Sequence, residues 1–308
     1  MSNIFEERKW VNEFIDLYFS RDAENVRRAI ALKDEHIPRS LFRYRSLDNA
    51  YVFDEIEREV VYLSKPEDFN DPFDCVATFS MKEILRNKKE CEEVVSDGRK
   101  KISDHDMNII LDVIDTVLEK ERKDFTKKYN DFTRECLRIC CFTEGNTQGL
   151  PTNIPLWYHY ANKFHGVCIE YDMRYFQSNS IHRLLMYPVK YVPQQTDFTD
   201  IMSEFIEGKK FFVDRLIAIH KALEWSYEKE WRLILHYDEI SPTSQLYLFP
   251  AVKAVYMGKD ILQEHEKRLT QLAEEYGFSL YKMDIHYLGV TFNQIVTPPD
   301  RIIFKEDK

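Results

Sequence analysis

The apolar run Trp231-Arg232-Leu233-Ile234-Leu235, reached directly from Glu228-Lys229-Glu230, constrains the fold more than any other stretch of the chain. Side chains of an extended backbone alternate between two faces, so Trp231, Leu233 and Leu235 share one face that water must leave. A core strand from about Glu228 to Leu235 is therefore expected, with Glu228 and Glu230 projecting together from the opposite face where the strand begins. Two neighbouring carboxylates raise each other's pKa and concentrate negative field. That suits holding a sugar hydroxyl or stabilising a positively charged transition state. Glu and Lys also crowd plain solvated strand starts, so the functional reading depends on the other residues the chain brings to this pair.

At 308 residues and 44% apolar content the chain is long enough to bury a sizeable core. It has only 8 glycines and neither G-x-G-x-x-G nor G-x-x-x-x-G-K-[ST], so Rossmann and P-loop phosphate cradles lack support. A net charge of -10 argues against broad, non-specific binding to DNA or to anionic membrane. Met1-Ser2-Asn3-Ile4-Phe5-Glu6-Glu7 lacks a basic lead and an apolar core, and no stretch has the length of a membrane span, so a cytoplasmic chain without membrane partners is expected. Cys75, Cys91, Cys136, Cys140, Cys141 and Cys168 are expected to be reduced thiols in that compartment.

Periodicity gives one or two helices between Phe5 and Leu32, interrupted around Ser20 to Glu24. A strand at Leu41 to Arg45, a helix from Asp48 to Arg58 and a strand at Val60 to Leu63 follow. Ser64 to Asp74 is loop chemistry that also carries Phe69 and Phe73, the pattern of a loop folded back on a core, either to bind or to plug a sheet edge. Residues 81–135 are charged and helical in pattern, with Ile109, Ile110, Val113, Ile114 and Val117 as the buried stripe of an insertion or lid. Further on, strands are expected at Leu137 to Phe142, Gly166 to Tyr171, Ala254 to Met257, Leu280 to Ile285 and Arg301 to Phe304. Helices are expected at Leu156 to Ala161, Asp200 to Leu223 and Ile261 to Tyr276, with Gly277 as a positive-φ C-cap. The order implies an α+β protein: a mixed β-sheet core within residues 37–308, a helical insertion at about 81–135, and an N-terminal helical extension at 1–36.

Four segments then read together: Phe42-Arg43-Tyr44-Arg45; Tyr62-Leu63-Ser64-Lys65-Pro66 with Phe69-Asn70-Asp71-Pro72-Phe73-Asp74; Leu156-Trp157-Tyr158-His159-Tyr160-Ala161 with His165-Gly166-Val167-Cys168-Ile169-Glu170; and Glu228-Lys229-Glu230-Trp231-Arg232. In this order, across most of residues 40–290, they resemble the bacterial domain-of-unknown-function 2971 family. More distantly the skeleton resembles the ADP-ribosyltransferase fold, with Arg43 on a first core strand, Thr143 on a middle strand and Glu230 of an E-x-E string at a later one. The resemblance implies NAD as substrate and a glycosyltransferase-class reaction, either ADP-ribosyl transfer to a macromolecule or NAD glycohydrolysis, as in a bacterial toxin or an antiviral defence protein. Its partners would be a protein or nucleic-acid acceptor and a neutralising or trigger protein.

On that resemblance Glu230 would stabilise the oxocarbenium-like ribose and Glu228 would orient or deprotonate the acceptor, while Thr143 would orient Glu230 or a ribose hydroxyl. Arg43 would meet a diphosphate or ribose oxygen, Tyr62, Phe69 or Tyr158 would stack on nicotinamide, and Tyr44, Ser64, Asn70 and His159 would complete the NAD site. Arg43, Ser64, Asn70, Thr143, Tyr158 and Glu230 are expected around one cleft. A non-enzymatic sensor that binds a nucleotide or a phage protein is the reading from another class. Cys140 or Cys141 beside His159 also offers a thiol nucleophile, against the commoner buried thiol. His159, His165 and Cys168 are ligand types without metal-site spacing.

Overall fold

The computed structural model describes residues 8–20, 22–48, 51–80, 84, 109, 126–206, 212–239 and 245–298. Two compact units are each gathered from three stretches: residues 1–35, 64–138 and 188–226 in the first, and 36–63, 139–187 and 227–308 in the second. Both are discontinuous, an arrangement that a boundary drawn along the sequence at residue 36 does not express.

In the first unit the expected interruption near Ser20 separates helices Trp10–Tyr18 and Ala23–His36. Phe14 and Phe19 are buried, and the enclosed Lys33 ammonium lies 5.9 Å from the ring centroids of both Phe14 and Tyr18. The loop after Ser64 is built as its acids predict: Pro66–Asp68 forms a short 3-10 turn, and Asp71 Oδ1 accepts from Phe73 N at 2.9 Å. One long helix from Asp200 to Leu223 is not what forms. Helices Thr199–Ile206 and Val213–Ala218 are separate, Phe212 is left-handed at φ 53, and His220–Ala222 is extended and pairs in parallel with Lys190–Val192. The helical period carries no information about a break imposed by backbone conformation. Most of the expected insertion lies outside the described residues. Its end at 126–136 is helical, and Ile109 is half exposed rather than part of a buried stripe.

The second unit is organised on an eight-stranded mixed sheet. Numbered along the whole chain, the strands are β1 (Ser40–Arg45), β2 (Val60–Tyr62), β3 (Leu137–Glu144), β4 (Val167–Asp172), β5 (Met186–Pro188), β6 (Lys190–Val192), β7 (His220–Ala222), β8 (Glu230–His236), β9 (Leu246–Leu248), β10 (Val252–Met257), β11 (Ser279–His286) and β12 (Gly289–Val296), of which β6 and β7 belong to the first unit. The sheet runs β12-β11-β10-β4-β1-β3-β8-β5, and β2 pairs separately with β9. β4 and β8 are rich in β-branched and large apolar residues, and all but the last residue of each is buried. Within this sheet β10 and β11 pair in parallel, which needs a crossover, and helix Gln263–Tyr276 supplies it. That helix ends on Gly277 at φ 69, the expected left-handed cap.

Register assigns the two faces of the sheet. Phe42 lies opposite both Thr143 and Glu170, and Tyr44 opposite Cys168. That face packs around Trp157, Leu156, Ala254, Tyr256 and Met283. Trp157 and Trp231 are each fully enclosed; burial of such a side chain contributes about 4–6 kcal/mol from apolar area alone. Glu144 lies opposite Leu41, so Leu41, Arg43, Arg45, Tyr171, Phe142 and Glu144 share the other face. Gly166 permits the close approach at the end of β4, where a Cβ would fall 2.2 Å from Arg45 O.

Candidate functional site

The chain approaches β8 through a 3-10 turn, Leu223–Glu228, and Lys229 then adopts φ 45 before the strand begins at Glu230. Glu228 and Glu230 are therefore not alternate positions of one extended strand, as the spacing implied, but flank a left-handed elbow. Both are enclosed all the same, at 5% and 2% exposure. Burying charge demands partners. The Tyr160 hydroxyl donates to Glu228 Oε1 at 2.8 Å, and Arg232 grips Glu230 through Nε to Oε1 at 2.8 Å and NH2 to Oε2 at 3.1 Å.

The elbow backbone is held from three directions. Thr143 Oγ1 donates to the Glu228 carbonyl, Glu144 N donates to Lys229 O at 3.2 Å, and Asn153 Nδ2 donates to Tyr227 O at 2.7 Å. Asn153 and Tyr160 bracket helix Ile154–Tyr160, which opens with Pro155 in its first turn and is pinned by Trp157 Nε1 donating to Pro151 O at 2.6 Å. Beyond Tyr160 the backbone is left-handed at Asn162, Lys163 and Phe164, with φ of 42, 50 and 70. Left-handed backbone outside glycine costs about 1–2 kcal/mol per residue and persists only where the surroundings over-determine it. Thus Tyr160 and Glu228, which meet in one hydrogen bond, are each followed within two residues by such backbone.

Arg43 does not join them. Trp231 Nε1 donates to Glu144 Oε1 at 2.9 Å, which puts Trp231 on the face that Glu144 shares with Leu41 and Arg43. Alternation along β8 then sends Glu230 and Arg232 to the opposite face, with Thr143. The expected single cleft containing Arg43, Thr143 and Glu230 is not formed. Arg43 instead donates NH1 to Glu55 Oε2 at 2.8 Å and NH2 to Tyr62 O at 3.0 Å, while Arg45 NH2 takes Glu55 Oε1 at 2.9 Å. Burial works against the Arg43 cation, but Cys140, Glu55 and Tyr171 around it raise its pKa overall. Arg45, buried and repelled by Arg43, is lowered.

The remaining expected residues are spread over both units. Ser64, Phe69 and Asn70 belong to the first unit, with Asn70 exposed and the other two half-buried. Tyr44 is buried in the core, edge-on to Trp157 at 5.2 Å. Tyr158 and His159 are exposed on the helix that carries Tyr160 and meet edge to face at 5.6 Å. Cys140 is enclosed, and burial pushes its thiol up to about 11, the opposite of an activated nucleophile. The five described cysteines are free thiols, and among the described residues no group of three or more His, Cys, Asp or Glu is placed to hold a metal.

Four charged or polar partners escaped the sequence reading. Arg232 follows Glu230 by two in one strand, so alternation alone puts the pair on one face. Glu55 sits between buried Val52, Phe53 and Ile56 on helix Tyr51–Glu57, a position that predicts burial. Tyr160 reads as core and is in fact half-buried, with its hydroxyl on Glu228. Glu170, buried in β4, accepts from Ser40 Oγ at 2.6 Å, Tyr256 Oη at 2.8 Å and Lys253 Nζ. Nothing local in β4 announces three partners drawn from other strands.

The fold and these networks define an α+β protein whose second unit holds a buried carboxylate elbow. Residues 156–233 match the model of a family described as protein of unknown function (DUF2971), a span that begins in the Tyr160 helix and runs through the elbow into β8. No curated protein and no solved structure matches the chain. No helix among the described residues is long and apolar enough to cross a membrane.

Proposed function

We propose that the chain is an NAD-using, ADP-ribosyltransferase-like effector that either modifies a macromolecule or hydrolyses NAD, in the manner of a bacterial toxin or antiviral defence protein. The observation that carries this reading is the pair of enclosed carboxylates at the Glu228-Lys229-Glu230 elbow, held in left-handed backbone by Thr143, Asn153 and Tyr160. Cleavage of the nicotinamide–ribose bond develops positive charge on the sugar, and a carboxylate already oriented before the reaction lowers that barrier without reorganisation. In this reading Arg232 fixes Glu230 as the ionised stabiliser, and Tyr160 orients Glu228 toward an acceptor hydroxyl or water. NAD would therefore be bound on the Thr143 side of β3 and β8, without Arg43.

A second reading has its own support. The bidentate Glu230–Arg232 pair is enclosed on both sides and already compensates the carboxylate charge. That is also what a fold retained for recognition alone would keep, in a sensor binding a nucleotide or a phage protein. Thermal stabilisation by NAD together with nicotinamide release and acceptor labelling is the expected result for the enzyme. Stabilisation by NAD without nicotinamide release would leave the sensor reading, and neither effect would overturn both uses of NAD.

A further inference from the structure

The eighth strand of the large sheet is where the molecule is least finished. Among the described residues β12 pairs on one side only, with β11 from Leu280↔Val296 to His286↔Gly289. Its sequence, Gly289-Val290-Thr291-Phe292-Asn293-Gln294-Ile295-Val296, contains no charged residue and no proline. Free sheet edges in soluble proteins are ordinarily blunted by lysine, proline, bulges or a covering element, because a row of unpaired N–H and C=O groups is a template for another strand. Within this strand there is no lysine and no proline, and its one irregularity is a bulge at Ile295, where the pairing passes from Leu280↔Val296 to Tyr281↔Gln294. The turn joining β11 to β12 adds an apolar tip, with Tyr287 at 95% and Leu288 at 76% exposure, and Ile295 near the other end is also exposed.

We infer that β12 is the interface through which two copies of this chain pair, antiparallel and about a twofold axis, joining their sheets into one. The strand's lack of charge selects a second copy over an unrelated partner. In an isologous contact a charge on the axis meets its own copy, so an uncharged edge lets a chain with a net charge of -10 pair with itself without local repulsion. Antiparallel pairing also brings Gly289 of one copy beside Val296 of the other. The Tyr287-Leu288 tip of each hairpin then lies beside Ile295 of the second copy, and apolar side chains exposed in the monomer become covered. Phe292 already packs into the core around Trp157 and Tyr256, so the edge rather than that face is the available surface.

Light scattering and sedimentation of the full chain across a concentration series test this, together with hydrogen exchange resolved to residues 289–296. The mass is expected to rise from 37.0 kDa toward twice that value, and exchange across β12 to slow in step with it. Thr291→Lys combined with Asn293→Lys places like charges across the axis at two exposed positions and is expected to hold the chain at monomer mass with unchanged circular dichroism. Three results would each overturn the inference: a monomer at every concentration, a dimer that the double variant leaves intact, or protection of β12 that does not depend on concentration. The last would mean that β12 is covered from within its own chain.

Discussion

The Tyr160 hydroxyl and Glu228 Oε1, 2.8 Å apart, tie the C-terminal end of one helix to the last residue of the turn that starts β8. A hydrogen bond to a charged group is worth about 1.5–3 kcal/mol, and most of its catalytic value lies in orientation. Tyr160→Phe keeps the ring and removes only the donor. The expected outcome is a roughly 10- to 100-fold lower kcat for NAD cleavage with KM little changed. Unchanged turnover in a folded Tyr160→Phe protein would reduce the contact to packing.

Glu230 and Glu228 separate by charge rather than shape. Glu230→Gln removes the carboxylate that opposes the sugar cation, and NAD cleavage and transfer should both fall by about 3 kcal/mol or more in barrier terms. It also strands the enclosed Arg232, so the double variant Glu230→Gln, Arg232→Met serves as the folded control. Glu228→Gln is expected to spare nicotinamide release more than acceptor labelling. Full cleavage activity in either Glu230 variant would end the transferase reading.

Arg43 gives the clearest divergence between sequence and structure. As a cofactor ligand its loss would raise KM for NAD at constant stability. As a buried partner of Glu55 it is structural, so Arg43→Met should cost about 3–5 kcal/mol in denaturant unfolding, with the KM of the surviving folded fraction unchanged.

Cys140 is enclosed and protonated at neutral pH. Alkylation of the native protein by iodoacetamide should leave Cys140 unmodified, and Cys140→Ser should lower stability by about 1–3 kcal/mol while preserving activity per folded molecule. Rapid native-state labelling of Cys140 would reopen the thiol mechanism.

His220, half-buried beside Phe198 with Nδ1 2.8 Å from Leu216 O, is lowered to about 4, chiefly by desolvation. Its folded pKa lies below the unfolded value near 6.5, so the unfolded chain binds the extra proton between those limits. Its contribution to stability is therefore complete above about pH 6.5 and is lost as pH falls toward 4, with a slope of up to about 1.4 kcal/mol per pH unit. Thermal melts of the parent and His220→Gln should converge over that interval. Parallel curves would assign the acid sensitivity elsewhere.

Much of the secondary structure was legible locally. The strands at 40–45, 137–144, 167–172 and 252–257, and the helix closed by Gly277, follow from short-range preference and burial pattern, which act within a few residues. β12 was not, because its mixed Thr, Asn and Gln content alternates only weakly and its strand character comes from pairing with β11. The split of the 200–223 helix was hidden because the left-handed backbone at Phe212 is a conformation that no periodicity records.

By itself the sequence determined that a strand at Trp231 must be buried and that two carboxylates would stand at its start, since alternation and hydrophobicity are properties of the local chain. The tertiary structure alone decided their partners: Arg232 and Tyr160 for the carboxylates, Thr143 for the elbow, Glu55 for Arg43. It also decided that Arg43 and Glu230 stand on opposite faces. Strand register sets these outcomes, and a one-residue shift in pairing would exchange every face without altering a single local preference.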